Sequence, residues 1–181
     1  MKHVNLNKRN WLLMLFALLL IAPTTLAKVR LPKLVSDKMV LQRDVELNIW
    51  GWASAGEKVT VRFNGAYYET EANSNGEWSV LLPPQKAGGP YLLEVNELKV
   101  RDVLVGDVWL CSGQSNQETP IVRLVDKFPE INVSNNHMIR HYKVPTQEIT
   151  DGVQQEIAGN AVWHSGVASE VLNWTALAYF Y

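Results

Sequence analysis

From Val29 to about Arg101 apolar and polar positions alternate in short runs, each closed by a turn-forming cluster. KMVLQ, ELNIWGWA, KVTVRFN, AYYETEA, EWSVLLP and YLLEV have strand length. They are separated by Ser36-Asp37, Ser54-Ala55-Gly56, Asn64-Gly65, Asn73-Ser74-Asn75-Gly76 and Gly88-Gly89-Pro90, residues that favour turns. Several short strands at such spacing predict a β-sandwich over residues 28–102. Asn64-Gly65 predicts a type I′ hairpin, whose two central positions both need positive φ. Trp50 and Trp52 share one strand face. With Trp78 they could stack on sugars, but large aromatics on sandwich strands are expected to pack in the core.

After Arg101 the pattern changes. VLVGDVWLC is a nearly continuous apolar run, which predicts a strand buried on both faces and hence an α/β layer over residues 103–181. A helix is expected over roughly Glu118–Phe128, a strand around Met138–Val144, and a helix from Ala176 with Thr175 as its N-cap. That last helix reaches Phe180 and Tyr181 without a stop signal, and a helix so short is marginal by itself. A doubly wound layer usually occupies roughly 150 residues or more. The expectation is therefore of a second domain present only in its N-terminal part.

Residues 1–27 read as a signal peptide. Lys2, Lys8 and Arg9 precede the apolar run WLLMLFALLLIA, and Thr25-Leu26-Ala27 supplies small residues for cleavage after Ala27. An uncleaved anchor is the alternative, disfavoured by the shortness of the run. The expected destination is periplasmic or extracellular, with no stable membrane insertion after cleavage. The chain from Lys28 then carries 14 basic against 18 acidic side chains, net −4. With no basic run it has no footprint for nucleic acid or an anionic bilayer.

Cys111 is the sole cysteine, so no intramolecular disulfide forms, and within a strand it is expected to be a small buried hydrophobe. His137, His141 and His164 lack the spacing of a metal site. His137 and His141 fall where a loop runs into a strand. No metal or cofactor is expected.

The candidate chemistry lies in WLCSGQSNQE, Trp109–Glu118, where a strand-forming run ends in a polar turn offering hydroxyls at Ser112 and Ser115. A serine becomes a nucleophile when a base takes its proton and donors stabilise the oxyanion. A tight strand-to-helix turn exposes the side chain and aims free N–H groups at the same point. GQSNQ is not the G-x-S-x-G elbow, because Gln117 replaces the second glycine. Taken alone, Ser112 and Ser115 could merely cap the following helix.

DKMVLQRDVELNIWGWASAGEKVTVRF, NGEWSVLLPPQKAGGPYLLEV, DVLVGDVWLCSGQSN and VWHSGVASEVLNWTALAYFY, in that order, resemble the sialate O-acetylesterase family, secreted SGNH-type carbohydrate esterases. The likeness covers about Leu34–Tyr181. It implies a β-sandwich followed by a flavodoxin-like SGNH hydrolase domain, and removal of O-acetyl groups from sialic acid or related acetylated glycans through an acyl-serine. By position Ser115 matches the family nucleophile. Its own N–H and that of Asn116 match the first part of the oxyanion site, and Ser112, Gly113 and Gln114 match the turn presenting it.

Gln117 stands where the family has methionine. The family's base is a histidine in a D-x-x-H motif near the end of the catalytic domain, and no histidine of this chain has aspartate three residues earlier. The resemblance thus implies an esterase whose nucleophile is here and whose base is not, so that this chain alone is expected to be inactive. Two other readings remain open: a non-catalytic glycan-binding or interaction module, and the product of a truncated gene.

Overall fold

The structure, a computed structural model, describes residues 28–148 and 152–181. The expected signal peptide at residues 1–27 lies outside them. Seven strands come first: β1 Val40–Gln42, β2 Leu47–Trp52, β3 Lys58–Phe63, β4 Ala66–Glu71, β5 Glu77–Leu82, β6 Gly88–Val95 and β7 Leu98–Gly106. Five form a mixed sheet in the order β1-β7-β6-β3-β4, and β2 and β5 form an antiparallel pair. Only the β1–β7 pairing is parallel, with Val40 opposite Leu104 and Gln42 opposite Gly106.

Period-two patterning decides which side chains meet. In β3, Val59, Val61 and Phe63 are buried while Lys58 and Arg62 are exposed. Leu47 and Ile49 of β2, Trp78 and Leu82 of β5, Leu93 and Val95 of β6, and Val100, Val103 and Val105 of β7 join them in one core. Each such side chain contributes about 1.5–3 kcal/mol by leaving water. The Asn64-Gly65 hairpin forms as the sequence predicts, with φ of 47° and 81°.

Trp78 is in the core, as expected, but Trp50 and Trp52 are not. Leu47, Ile49 and Gly51 take the inward positions of β2, so alternation turns Asn48, Trp50 and Trp52 to the other face. There the two half-buried indoles meet edge to face at 5.0 Å, and the Arg30 guanidinium lies 3.6 Å from the Trp52 ring centre. Gly51 sits opposite Trp78. A Cβ on Gly51 would fall 2.3 Å from the Arg30 carbonyl oxygen and 2.9 Å from the Trp78 ring. The backbone contact cannot yield without breaking the Arg30–Trp52 bridge. Gly51→Ala should therefore destabilise by about 3 kcal/mol, seen as a lower urea midpoint at unchanged slope.

β7 continues through Val103 to Gly106 and so runs across the 102/103 boundary expected from the sequence. There the strand stops. Val108, Trp109, Leu110 and Cys111 are exposed rather than buried in a strand, and Cys111 is free in solvent. A strand persists only where a neighbour takes up its backbone polar groups, and among the described residues nothing pairs with this run.

The expected helix over Glu118–Phe128 is instead two 3₁₀ turns, Ser115–Glu118 and Ile121–Leu124. Pro120 separates them: it has no N–H to donate and forces Thr119 out of the helical region, to φ −61° and ψ 114°. A third 3₁₀ turn, Pro129–Val133, leads into β8, Asn135–Tyr142. That strand begins three residues earlier than expected and pairs antiparallel with β9, Trp163–Val167. Helical turns at Ala168–Val171 and Ala176–Phe180 complete the chain. Thr175 precedes the last turn, but its side chain makes no capping bond, and its buried hydroxyl has no partner.

Ile121, Ile131, Val171, Trp174 and Ala176 form a second, much smaller core. Polar ties join it to the β-rich part. The Trp163 indole N–H donates to the Leu34 carbonyl at 2.8 Å. Arg140, only 2% exposed in its side chain, donates to Asp102 Oδ1 at 2.8 Å and to Ser165 Oγ at 2.9 Å. Lys33 Nζ donates to the carbonyls of Ile157 and Gly159.

Candidate active site

Ser112, Gly113, Gln114, Ser115 and Asn116 are all exposed. Gln114, extended at φ −89° and ψ −167°, is the N-cap of the Ser115–Glu118 turn. The Gln117 N–H donates to the Gln114 carbonyl at 2.8 Å, closing that turn. The first N–H groups of a helical turn have no partner within it, which frees those of Ser115 and Asn116. Neither Ser112 nor Ser115 caps by its side chain. Gln117 folds back beneath Gly113, where a Cβ would meet its side chain at 3.5 Å.

The turn is held from below by the C-terminal residues. Pro120 and Thr175 form an isolated antiparallel bridge. Ala176 N–H donates to the Thr119 carbonyl at 2.9 Å, Ile121 N–H to Trp174 at 3.0 Å and Val122 N–H to Leu172 at 2.9 Å. The Thr146 hydroxyl donates to Glu118 Oε1 at 3.0 Å. A small buried core and four backbone bonds and bridges thus fix where Ser115 sits.

No histidine among the described residues hydrogen-bonds Ser115. His141 and His164 face each other across β8 and β9. His141 stacks on Trp174, ring centres 4.9 Å apart and planes 21° from parallel, with its Nδ1 buried and unpartnered. His164 Nδ1 lies 3.6 Å from Glu170 Oε2. Burial pushes the Glu170 carboxyl up, but the Ser165 N–H, the Lys38 ammonium and His164 outweigh it and leave it below its usual range. His137 is exposed on β8. Sequence reading missed this Arg140–Ser165–Glu170 network, because its members lie in the connection after β8 and in a helical turn that carries no periodic signal.

His141 gives the small core a pH dependence. Burial, then the neighbouring charges of His164 and Lys143, lower its pKa from 6.5 to about 4. The unfolded chain therefore binds the proton more readily, so stability is full above pH 6.5 and falls as pH drops toward 4. The ring is partly solvated, and screening reduces the loss to roughly 1–2 kcal/mol. Thermal melts between pH 7 and 4 should show the decline, and His141→Phe, which keeps the stack on Trp174, should flatten it.

No family model matches the chain. It is 30% identical over 150 residues to the sialate O-acetylesterase of Homo sapiens, which covers 74% of this chain and 29% of that protein. The sialate O-acetylesterase of Rattus norvegicus is 32% identical over 117 residues, 56% of this chain and 22% of its own. A crystal structure of a carbohydrate acetylesterase from Xanthomonas citri superposes with a TM-score of 0.80 at 38% identity, covering 84% of this chain and 36% of that one. The chain thus spans less than a third of these curated relatives. Over the stretch they share, sequence and fold agree, and the chain belongs to the sialate O-acetylesterase family of carbohydrate esterases.

Proposed function

We propose that the chain is the nucleophile-bearing part of an exported serine esterase that removes O-acetyl groups from sialic acid or related glycans. In this reading residues 28–102 are a β-sandwich and residues 103–181 begin a flavodoxin-like SGNH hydrolase domain, with residues 1–27 a signal peptide. The carrying observation is the exposed Ser115 at the head of a tight turn, with its own N–H and that of Asn116 free for an oxyanion. Ser115 Oγ attacks the acetyl carbonyl carbon as a histidine base takes the hydroxyl proton. The tetrahedral oxyanion rests on those two N–H groups. The sugar alkoxide then leaves with the proton, and water attacks the acetyl-serine, releasing acetate and restoring the hydroxyl.

The base is the histidine of a D-x-x-H motif, which this chain does not contain. His141 is stacked and buried, and His164 is engaged with Glu170. The chain alone is therefore inactive in this proposal. The test compares it with a chimera in which it replaces the aligned stretch of the Xanthomonas citri enzyme, using O-acetylated sialic acid and acetylated hexoses as substrates. Hydrolysis by the chimera and none by the chain alone is the expected result. Turnover by the chain alone would overturn the absent base, and a folded but inactive chimera would overturn the esterase reading.

A second reading has one observation in its favour, the outward pair Trp50 and Trp52. In it the β-rich part binds glycans by stacking, as a non-catalytic module. Saturable binding of sialylated glycans that Trp50→Ala abolishes would support it.

A further inference from the structure

We infer that residues 109–113, on the approach to Ser115, form a docking edge for a β-strand of further polypeptide. The occupant is a strand from the portion of the acetylesterase fold that the longer relatives possess beyond the shared stretch. This rests on family membership but not on Ser115 being the nucleophile.

Three observations converge. The side chains are apolar and outward on both sides of the run: Trp109 is 66% and Leu110 93% exposed, with Val108 and Cys111 also open to solvent. A strand facing water on one side would alternate, whereas one apolar on successive positions suits a sheet covered on both faces. Second, among the described residues no hydrogen bond engages the backbone N–H or C=O groups of Trp109 to Gly113. The run immediately before is the reverse. Val108 N–H donates to Gln42 Oε1 at 2.9 Å, and Arg43 Nε donates to Asp107 Oδ1 at 2.9 Å, so the exit of β7 is anchored and the free backbone starts at a fixed point.

Third, the apolar surface continues past the run. Trp109 meets Tyr181 edge to face at 5.0 Å, and Phe180 packs on Phe128 at 4.9 Å. Apolar surface of this kind marks an interaction site, and free backbone beside it selects a strand as the partner, since strand addition satisfies both at once. The relatives, with about two thirds or more of their length outside the shared stretch, have the polypeptide to supply that strand.

The experiment is amide hydrogen exchange at residues 109–113. It is measured on the chain alone, on the chain with the separately produced remainder of the Xanthomonas citri acetylesterase, and on the chimera joining the two. In the chain alone these amides should exchange at near-unprotected rates. In either combined form exchange should slow by about a hundredfold or more.

Leu110→Asp should leave the melting temperature of the chain alone within about 2 °C and remove the protection in the combined forms. Failure of both combined forms to slow exchange overturns the proposal. So does protection that rises with the concentration of the chain alone, because the occupant is then a second copy. Protection without ester hydrolysis leaves the docking edge standing and counts against Ser115, so the two readings fail separately.

Discussion

Ser115→Ala in the chimera is expected to lower kcat for acetyl-ester hydrolysis by about 10⁴-fold or more, leaving only what binding and the oxyanion donors supply. The substitution removes one exposed oxygen that makes no hydrogen bond among the described residues, so the melting temperature should not move. That separation makes the result interpretable: a large loss of turnover with an unchanged fold assigns the hydroxyl to the chemistry. Ser112→Ala is the internal control. Its hydroxyl is equally exposed, but it lies before the N-cap Gln114 and not at the head of the turn, and its loss should change kcat by less than about tenfold. Equal losses at the two positions would refute the assignment. Asn116→Ala should also be mild, because the proposal uses the backbone N–H of Asn116 and leaves its side chain idle.

Trp174→Ala should cost about 3–5 kcal/mol, and the loss should be confined to the smaller core. Trp174 is one of only five buried side chains there, stacks on His141, and lends its carbonyl to the Ile121 N–H. A core of five has no redundancy, whereas the β-rich part keeps some fifteen buried residues untouched. Exchange should therefore rise across residues 115–142 and 163–181 while β2 to β6 stay protected. Uniform loss of protection would mean that Arg140 and Trp163 couple the two cores into one cooperative unit. In the chimera the same substitution should depress activity, because the backbone bonds that position the Ser115 turn start from Leu172, Trp174 and Ala176.

The β-rich part was legible because each strand carries its own period and each turn its own chemistry. Asn64-Gly65 needed no tertiary information to be read correctly. Trp50 and Trp52 were not readable in the same way, since both faces of β2 carry apolar residues. What settles the direction is Gly51, whose missing side chain makes room for Trp78. After Gly106 local sequence informs less. VWLC has strand propensity but finds no neighbour among the described residues, and Pro120 divides a helical pattern into two 3₁₀ turns. Ser115 was recognisable from its motif, while the free N–H groups at its turn follow from that break and from the extended Gln114.

The parallel pairing of β1 with β7 has a consequence for the order in which the fold is made. Val40 meets Leu104, sixty-four positions later in the chain, with every other strand of the β-rich part lying between them. During synthesis β1 must wait unpaired until β7 has emerged, while the β3–β4 and β2–β5 pairs can close early. Loop closure of that span is slow relative to the local hairpins. The joint that anchors the approach to Ser115, through Gln42 and Arg43, is thus among the last parts of the β-rich region to form. A kinetic defect at Val40–Arg43 would delay the assembly of everything downstream without weakening any hairpin upstream.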